Sequence, residues 1–193
     1  MRILVLHAHP VRESFNGHLH RLIVEQLEKT GHEVDDCDLY GEDFDPRLTR
    51  EERLAYHDTE VNIEPVRSYV QRLQAADALV LSFPVWNFGY PAILKGFFDR
   101  VFLPGVSFNM VGGSAQPCLH NIGKVSVVTT YGGSRLRAWL VGDPPRKSVT
   151  RVLRAIVKPG ARFRYLAHYD MNRSTDVTRS AFISRVGRSM SAF

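Results

Sequence analysis

The chain has 193 residues, of which 44% are hydrophobic and 23% charged, with a formal net charge of +5 and two cysteines. That composition excludes a disordered, collagen-like or low-complexity chain and predicts one globular domain, residues 1–193, long enough to bury a core. No apolar run approaches the roughly 18 residues of a membrane span, the apolar opening stops at His7, and Cys37 and Cys118 fit no C-x-x-C spacing, so the expectation is a cytoplasmic protein without membrane insertion or disulfide scaffold.

Arg2–His7 is apolar between its ends and reads as a buried strand. Leu19, Leu22, Ile23 and Leu27 recur at helical spacing, Asn16 stands where an N-cap belongs, and Gly31 is a stop. Val34–Leu39 carries acidic residues and reads as a strand near an edge. Asp45–Asn62 is polar, a loop with a short helix around Arg50–Tyr56. Val66, Val70 and Leu73 mark the next helix, and Ala78–Phe83 is a central buried strand. Pro91 suits the first turn of a helix that carries Ile93, Leu94, Phe97, Phe98, Val101 and Phe102. Lys124–Thr130 is another buried strand. Val149–Val157 is helical and ends at Pro159-Gly160, Phe163–His168 is the fifth strand, and Thr175–Met190 closes the chain as a helix. Strands alternating with helices predict an α/β fold: a doubly wound five-stranded parallel sheet with helices on both faces. Ligands bind such sheets beyond the carboxyl ends of the strands, so the loops after strands one, three and four carry the functional question.

The first loop, His7-Ala8-His9-Pro10-Val11-Arg12-Glu13-Ser14-Phe15-Asn16, lacks both the G-x-G-x-x-G fingerprint and the G-x-x-x-x-G-K-[ST] loop. It feeds a helix N-terminus, where unpaired amides and the helix dipole favour an anion. Ser14 and Asn16 add donors there, or simply cap the helix. His7-x-His9 has no third ligand at metal spacing, so no metal is expected. The second loop, Pro84-Val85-Trp86-Asn87-Phe88-Gly89-Tyr90, sets aromatics beside an amide. A planar heteroaromatic ring needs such apolar area with hydrogen-bonding groups along its edge; a packed core turn would look alike. The third loop, Thr129-Thr130-Tyr131-Gly132-Gly133, has two glycines that let a ligand approach the backbone.

Charge is unevenly spread. Residues 1–96 carry 10 Lys/Arg against 16 Asp/Glu, and residues 97–193 carry 15 against 4. The densest basic stretch runs from Arg135 to Arg164 and contains no zinc-finger spacing or RNP-type motif, which argues against nucleic acid. A solvated helix face with a dimer contact to the acidic half, or a site for a phosphorylated cofactor, remain as readings.

The segments His7-Ala8-His9-Pro10 with Ser14-Phe15-Asn16, then Phe83 through Phe102 with its Pro-Ala-Ile-Leu-Lys-Gly core, then Thr129 through Gly133, resemble the flavin-dependent NAD(P)H:quinone oxidoreductase family. That family includes quinone reductases, azoreductases and ancillary proteins of bacterial potassium-efflux systems. The resemblance covers about residues 1–135. It implies a flavodoxin-like fold, a homodimer, and two-electron hydride transfer from NAD(P)H through a flavin to a quinone-like or azo-type acceptor; the flavin carries the hydride, and no side chain is named as catalytic. It places His9, Ser14, Phe15 and Asn16 around the flavin phosphate region, and Pro84, Val85, Trp86, Asn87 and Phe88 along its ring. Thr129, Thr130, Tyr131, Gly132 and Gly133 would close the other side, and Phe108, Met110 and Trp139 would line the substrate pocket. The flavin is FAD or FMN, with the opening motif favouring FAD. Tyr131 lengthens the Thr-Thr-Gly-Gly motif by one residue, and the Tyr and His that follow it in mammalian-type enzymes have no match between Ser134 and Lys147. A regulatory flavoprotein of a membrane transport system and a flavodoxin-type electron carrier are the alternatives.

Overall fold

The computed structural model describes residues 1–193. In chain order the elements are β1 (Arg2–His7), α1 (Phe15–Lys29), β2 (Glu33–Asp38), α2 (Arg50–Leu54), α3 (Arg67–Ala75), β3 (Ala78–Val85) and α4 (Ala92–Val101). There follow β4 (Phe108–Val111), β5 (Ser114–Pro117), β6 (Lys124–Tyr131), α5 (Arg135–Leu140), α6 (Pro144–Lys147), a π-helical stretch Ser148–Leu153, α7 (Arg154–Ile156), β7 (Arg162–His168) and α8 (Asp176–Ser191).

Five strands form one parallel sheet in the order β2-β1-β3-β6-β7. The sheet is buried on both faces, which is why its central strands are apolar runs and not alternating ones. Successive side chains still point to opposite faces. On one face Ile3, Val5, Ala78 and Val80 pack with Leu19, Ile23 and Leu27 of α1 and with Phe182, Val186 and Met190 of α8. On the other, Leu4, Leu6, Leu79 and Leu81 meet Val70 and Leu73 of α3 and Leu94, Phe97 and Val101 of α4. This is the expected flavodoxin-like architecture. Its switch point lies between β1 and β3, where the connections depart to opposite sides.

Several local expectations are corrected. The N-cap of α1 is Ser14, whose side chain accepts from the Gly17 amide, and not Asn16, which already lies inside the helix. Pro91 stands just ahead of Ala92, so it caps α4 instead of occupying its first turn. Strand β3 continues through Pro84 and Val85, and β6 through Tyr131. The antiparallel hairpin β4–β5 was not anticipated. It turns at Gly112 and Gly113, both at positive φ, as a two-residue hairpin connection demands.

One glycine fixes how the first loop sits. A Cβ on Gly17 would lie 2.1 Å from the Arg12 carbonyl oxygen, so the loop folds back onto the first turn of α1 only because residue 17 has no side chain.

Candidate functional site at the carboxyl edge of the sheet

The loop after β1 is organised around one imidazole. His9 Nδ1 accepts from the Val11 amide at 3.0 Å and lies 3.1 Å from Ser14 Oγ. Because Nδ1 accepts the Val11 N–H it carries no proton, so the Ser14 hydroxyl donates to it while accepting from Gly17 N–H at 3.0 Å. Nδ1 is thus the acceptor, and the ring's proton sits on Nε2. Burial lowers the His9 pKa below its ordinary value, which keeps the ring neutral. Its edge meets the Trp86 ring with centroids 5.7 Å apart, which joins the first loop to the second. The leading amides of α1 have no intrahelical acceptor, as at every helix start.

Asn16 joins the first loop to the third. It is 5% exposed, and its Nδ2 donates to Thr130 Oγ1 at 2.7 Å. Asn16 Oδ1 and Thr129 Oγ1 are buried with no protein partner. Asn16 Oδ1, on the α1 face, is a buried polar atom that a polar ligand edge can complete, whereas Thr129 Oγ1 lies on the opposite face with Tyr131.

In the second loop, Asn87 and Phe88 both adopt positive φ, at 49° and 57°. Trp86 and Gly89 exchange backbone hydrogen bonds of 3.2 and 2.8 Å across them. This is a tight two-residue turn in which Asn is tolerated and Phe is strained. The turn leaves Trp86 41% and Phe88 39% exposed, while Pro84 and Val85 are buried in the strand beneath. Exposed rings on a strained turn are aromatic area held ready at the rim.

In the third loop, Thr129 and Thr130 are buried. The Tyr131 side chain points to the interior: its hydroxyl donates to Asp143 Oδ1 at 2.7 Å and lies 2.7 Å from the Tyr165 hydroxyl. Burial, Tyr165 and Asp143 together push its pKa far above the usual phenol range. Tyr131 therefore reaches the rim with its backbone alone, because alternation along β6 sends its ring to the face opposite Thr130. Gly132 and Gly133 follow, half-buried.

A fourth loop, after β7, escaped the sequence reading. The Asp170 amide donates to the Gly133 carbonyl at 2.9 Å, and Asn172 packs beside Gly132. The turn-forming run Asp170-Met171-Asn172 after a strand was the available signal. Beside it, His168 Nδ1 is buried without a partner, and the His168 ring meets Phe15 edge-on at 5.8 Å.

The three residues expected around a substrate pocket do not converge. Phe108 lines an apolar cleft with Tyr90, Phe98, Phe102 and Val152, and Met110 is 54% exposed on the hairpin. Trp139, 71% exposed on α5, lines a separate basic cleft. No cluster of His, Cys, Asp or Glu could hold a metal ion, and no helix is long and apolar enough to cross a membrane.

The parallel order β2-β1-β3-β6-β7, with polar and aromatic loops beyond its switch point, defines a doubly wound α/β protein of flavodoxin type. By sequence too the chain belongs to this family: a family model described as Flavodoxin-like fold matches residues 1–158. The ribosyldihydronicotinamide dehydrogenase [quinone] of Pongo abelii is 33% identical over 150 residues, covering 69% of this chain and 64% of that protein. The first curated relatives are matched over 45% to 64% of their own length. The NAD(P)H:quinone oxidoreductase from Methanothermobacter marburgensis superposes with a TM-score of 0.85 at 25% identity, over 99% of this chain and 98% of that one. An FMN-dependent NADH-azoreductase from Bacillus anthracis shares the fold, with a TM-score of 0.80 at 14% identity over 99% and 98% of the two chains.

Proposed function

We propose that the protein is a flavin-dependent NAD(P)H oxidoreductase that reduces quinone-like or azo-type acceptors by two-electron transfer in ping-pong order. The observation that carries this reading is the coupling of the three loops at one rim: His9 against Trp86, and Asn16 bonded to Thr130. The named quinone and azo reductases among its relatives support it.

The residues fit a flavin. The amides of Phe15 and Asn16 and the Nε2–H of neutral His9 would hold the phosphate region by donation, at the positive end of α1, with the Ser14 hydroxyl orienting His9. Pro84, Val85, Trp86, Asn87 and Phe88 would line the ring with apolar area and backbone groups. Thr129, Thr130, Gly132, Gly133 and the Tyr131 backbone would close its other side, where the unpaired Asn16 Oδ1 could accept a hydrogen bond. When bound, the flavin supplies the two-electron carrier between nicotinamide and acceptor. The protein binds, orients and excludes water; we assign no side-chain acid or base. Tyr131, engaged with Asp143 and Tyr165, is a strut.

We read the flavin as FAD. The opening motif favours it, and the cleft of about 350 Å³ beside Phe15, lined by His168, Arg173, Thr178 and Arg185, offers polar and cationic groups to an adenylate. We take residues 1–193 as one cytoplasmic flavin-binding unit that pairs as a homodimer, with the cleft of Phe98, Phe102, Phe108 and Val152 covered by the second copy.

The test is steady-state NAD(P)H oxidation with a soluble quinone, varying both substrates. Parallel double-reciprocal lines, with bleaching of bound flavin by NAD(P)H alone in the absence of oxygen, support the reading. A bound flavin that reduced nicotinamides leave oxidised would instead make the protein an electron carrier.

A further inference from the structure

The rim described above does not use the basic surface next to it. Of the basic stretch that runs from Arg135 to Arg164, the fold gathers only part. Arg162 and Arg164 go out on β7, with Arg164 bound to Ser189, and Arg154 lies over the Phe163 ring. Arg135, Arg146, Lys147 and Arg151 converge on one cleft of about 400 Å³, together with Trp139 and Tyr169.

None of these four cations makes a salt bridge, whereas Arg2, Arg72, Arg100 and Arg179 elsewhere each hold a carboxylate. The one carboxylate on the wall, Asp143, accepts from the Tyr131 hydroxyl. Arg146 is fixed in place, its guanidinium over the Tyr165 ring at 5.0 Å and directed at the Tyr169 hydroxyl at 3.4 Å. Four positive charges around one hollow, offset by the single Asp143 carboxylate, raise the free energy of the protein alone and fall in energy when a polyanion enters. Trp139 adds a bare indole at the same hollow. An exposed indole beside guanidinium groups suits a flat base that carries a phosphate.

The cleft also borders the rim. Ser134, directly after Gly132-Gly133, caps α5, which carries Arg135 and Trp139. The Tyr169 ring lies against that of Tyr131 at 4.6 Å. The Gly142-Asp143 turn into α6 holds two consecutive left-handed residues, at φ 85° and 46°. Arg151 projects from the π-helical stretch, a distortion that is frequent at functional sites.

We propose that this cleft binds the 2′-phosphoadenosine end of NADPH, with adenine on Trp139 and the 2′-phosphate among Arg135, Arg146, Lys147 and Arg151. It makes the protein selective for NADPH over NADH. The inference rests on the nicotinamide-dependent reading of the rim and deepens it by naming the reductant.

The test is calorimetric titration of the flavin-loaded protein with adenosine 2′,5′-bisphosphate and with 5′-AMP, paired with anaerobic stopped-flow bleaching of the flavin by NADPH and by NADH. The bisphosphate is expected to bind at least about tenfold tighter than 5′-AMP, the worth of one charge-assisted contact set. Arg135→Ala and Arg151→Ala, both exposed positions, should each remove most of that advantage and lower the NADPH-to-NADH ratio. Trp139→Ala should weaken both nucleotides alike. Lys158→Ala, outside the cleft, removes the same charge and should keep the ratio. Equal affinity for the two nucleotides, or an advantage that survives both arginine substitutions, overturns the proposal. So does a fall in self-association in those variants with no change in nucleotide discrimination, because the charges would then serve a second copy. The two readings fail separately. If neither nicotinamide bleaches the flavin while the bisphosphate keeps its advantage, the reaction assigned to the rim falls and the cleft stands. If both bleach it equally and the advantage is absent, the cleft falls and the reaction stands.

Discussion

Asn16 Nδ2 and Thr130 Oγ1 lie 2.7 Å apart, although 114 positions separate them in the chain. This bond ties the first turn of α1 to the end of β6, and so two of the three rim loops to each other. Asn16→Ala deletes the donor and leaves Thr130 buried without it. The expected loss is about 1–3 kcal/mol of unfolding free energy. Chemical denaturation checks that figure. Flavin affinity should fall as well, and Thr130→Val should lower both quantities in the same direction.

Gly17 and Gly96 form a matched pair of steric tests. A Cβ at residue 17 would meet the Arg12 carbonyl at 2.1 Å, and one at residue 96 would meet Pro46 at 2.4 Å. Each alanine substitution should destabilise the fold by about 1–3 kcal/mol through overpacking. Only Gly17→Ala displaces the phosphate loop. Fluorescence titration with flavin should therefore show a loss of affinity in Gly17→Ala that exceeds the loss in Gly96→Ala.

Phe88 should separate stability from function. Its left-handed backbone is costly for a ring-bearing residue, by about 1–2 kcal/mol. Glycine there relieves that strain and returns part of it as unfolded-state freedom. Phe88→Gly is expected to raise stability by about 0.5–1 kcal/mol while it weakens flavin retention, because the exposed ring is gone. A melting curve and a dialysis experiment read the two effects.

His7 sets an acid limit. It is 2% exposed, stacked on His20 at 4.1 Å, with its pKa lowered to about 3 by burial and by the neighbouring His20 and His9. The unfolded chain takes up the proton near pH 6.5 and the folded one does not, so the unfolded state binds more protons below that pH. The stability that His7 contributes is complete above pH 6.5 and is lost as pH falls from there towards 3. Between pH 7.5 and 5.5 the loss is about 1 kcal/mol. Denaturation at the two pH values checks this, and His7→Gln should flatten that part of the profile.

Much of the fold was legible because a doubly wound sheet repeats one signal, an apolar strand followed by a helix with a 3.6-residue stripe. Ala78–Phe83 and Lys124–Thr130 are such strands, and their pairing in register at the centre of the sheet follows. The rim residues were legible as loops because strand ends are where helices begin. What stayed hidden depended on tertiary packing. Ser14 and Asn16 are both good caps, and only the fold shows that Asn16 turns inward to Thr130 while Ser14 bonds Gly17. The direction of Tyr131 depended on the exact end of β6, since one residue reverses the face. The resemblance groups Phe108 and Trp139 in one pocket, but β4 and α5 carry them to different clefts. The convergence of Arg135 with Arg151 likewise needed the turn at Gly142-Asp143.

The most direct measurement is flavin titration of the purified full chain, read by absorbance and by quenching of flavin fluorescence, with mass spectrometry of the chromophore released on unfolding. One flavin per chain is expected, retained through gel filtration, with retention lowered in Asn16→Ala. A chain that remains colourless after incubation with FAD and with FMN, and quenches neither, would contradict it.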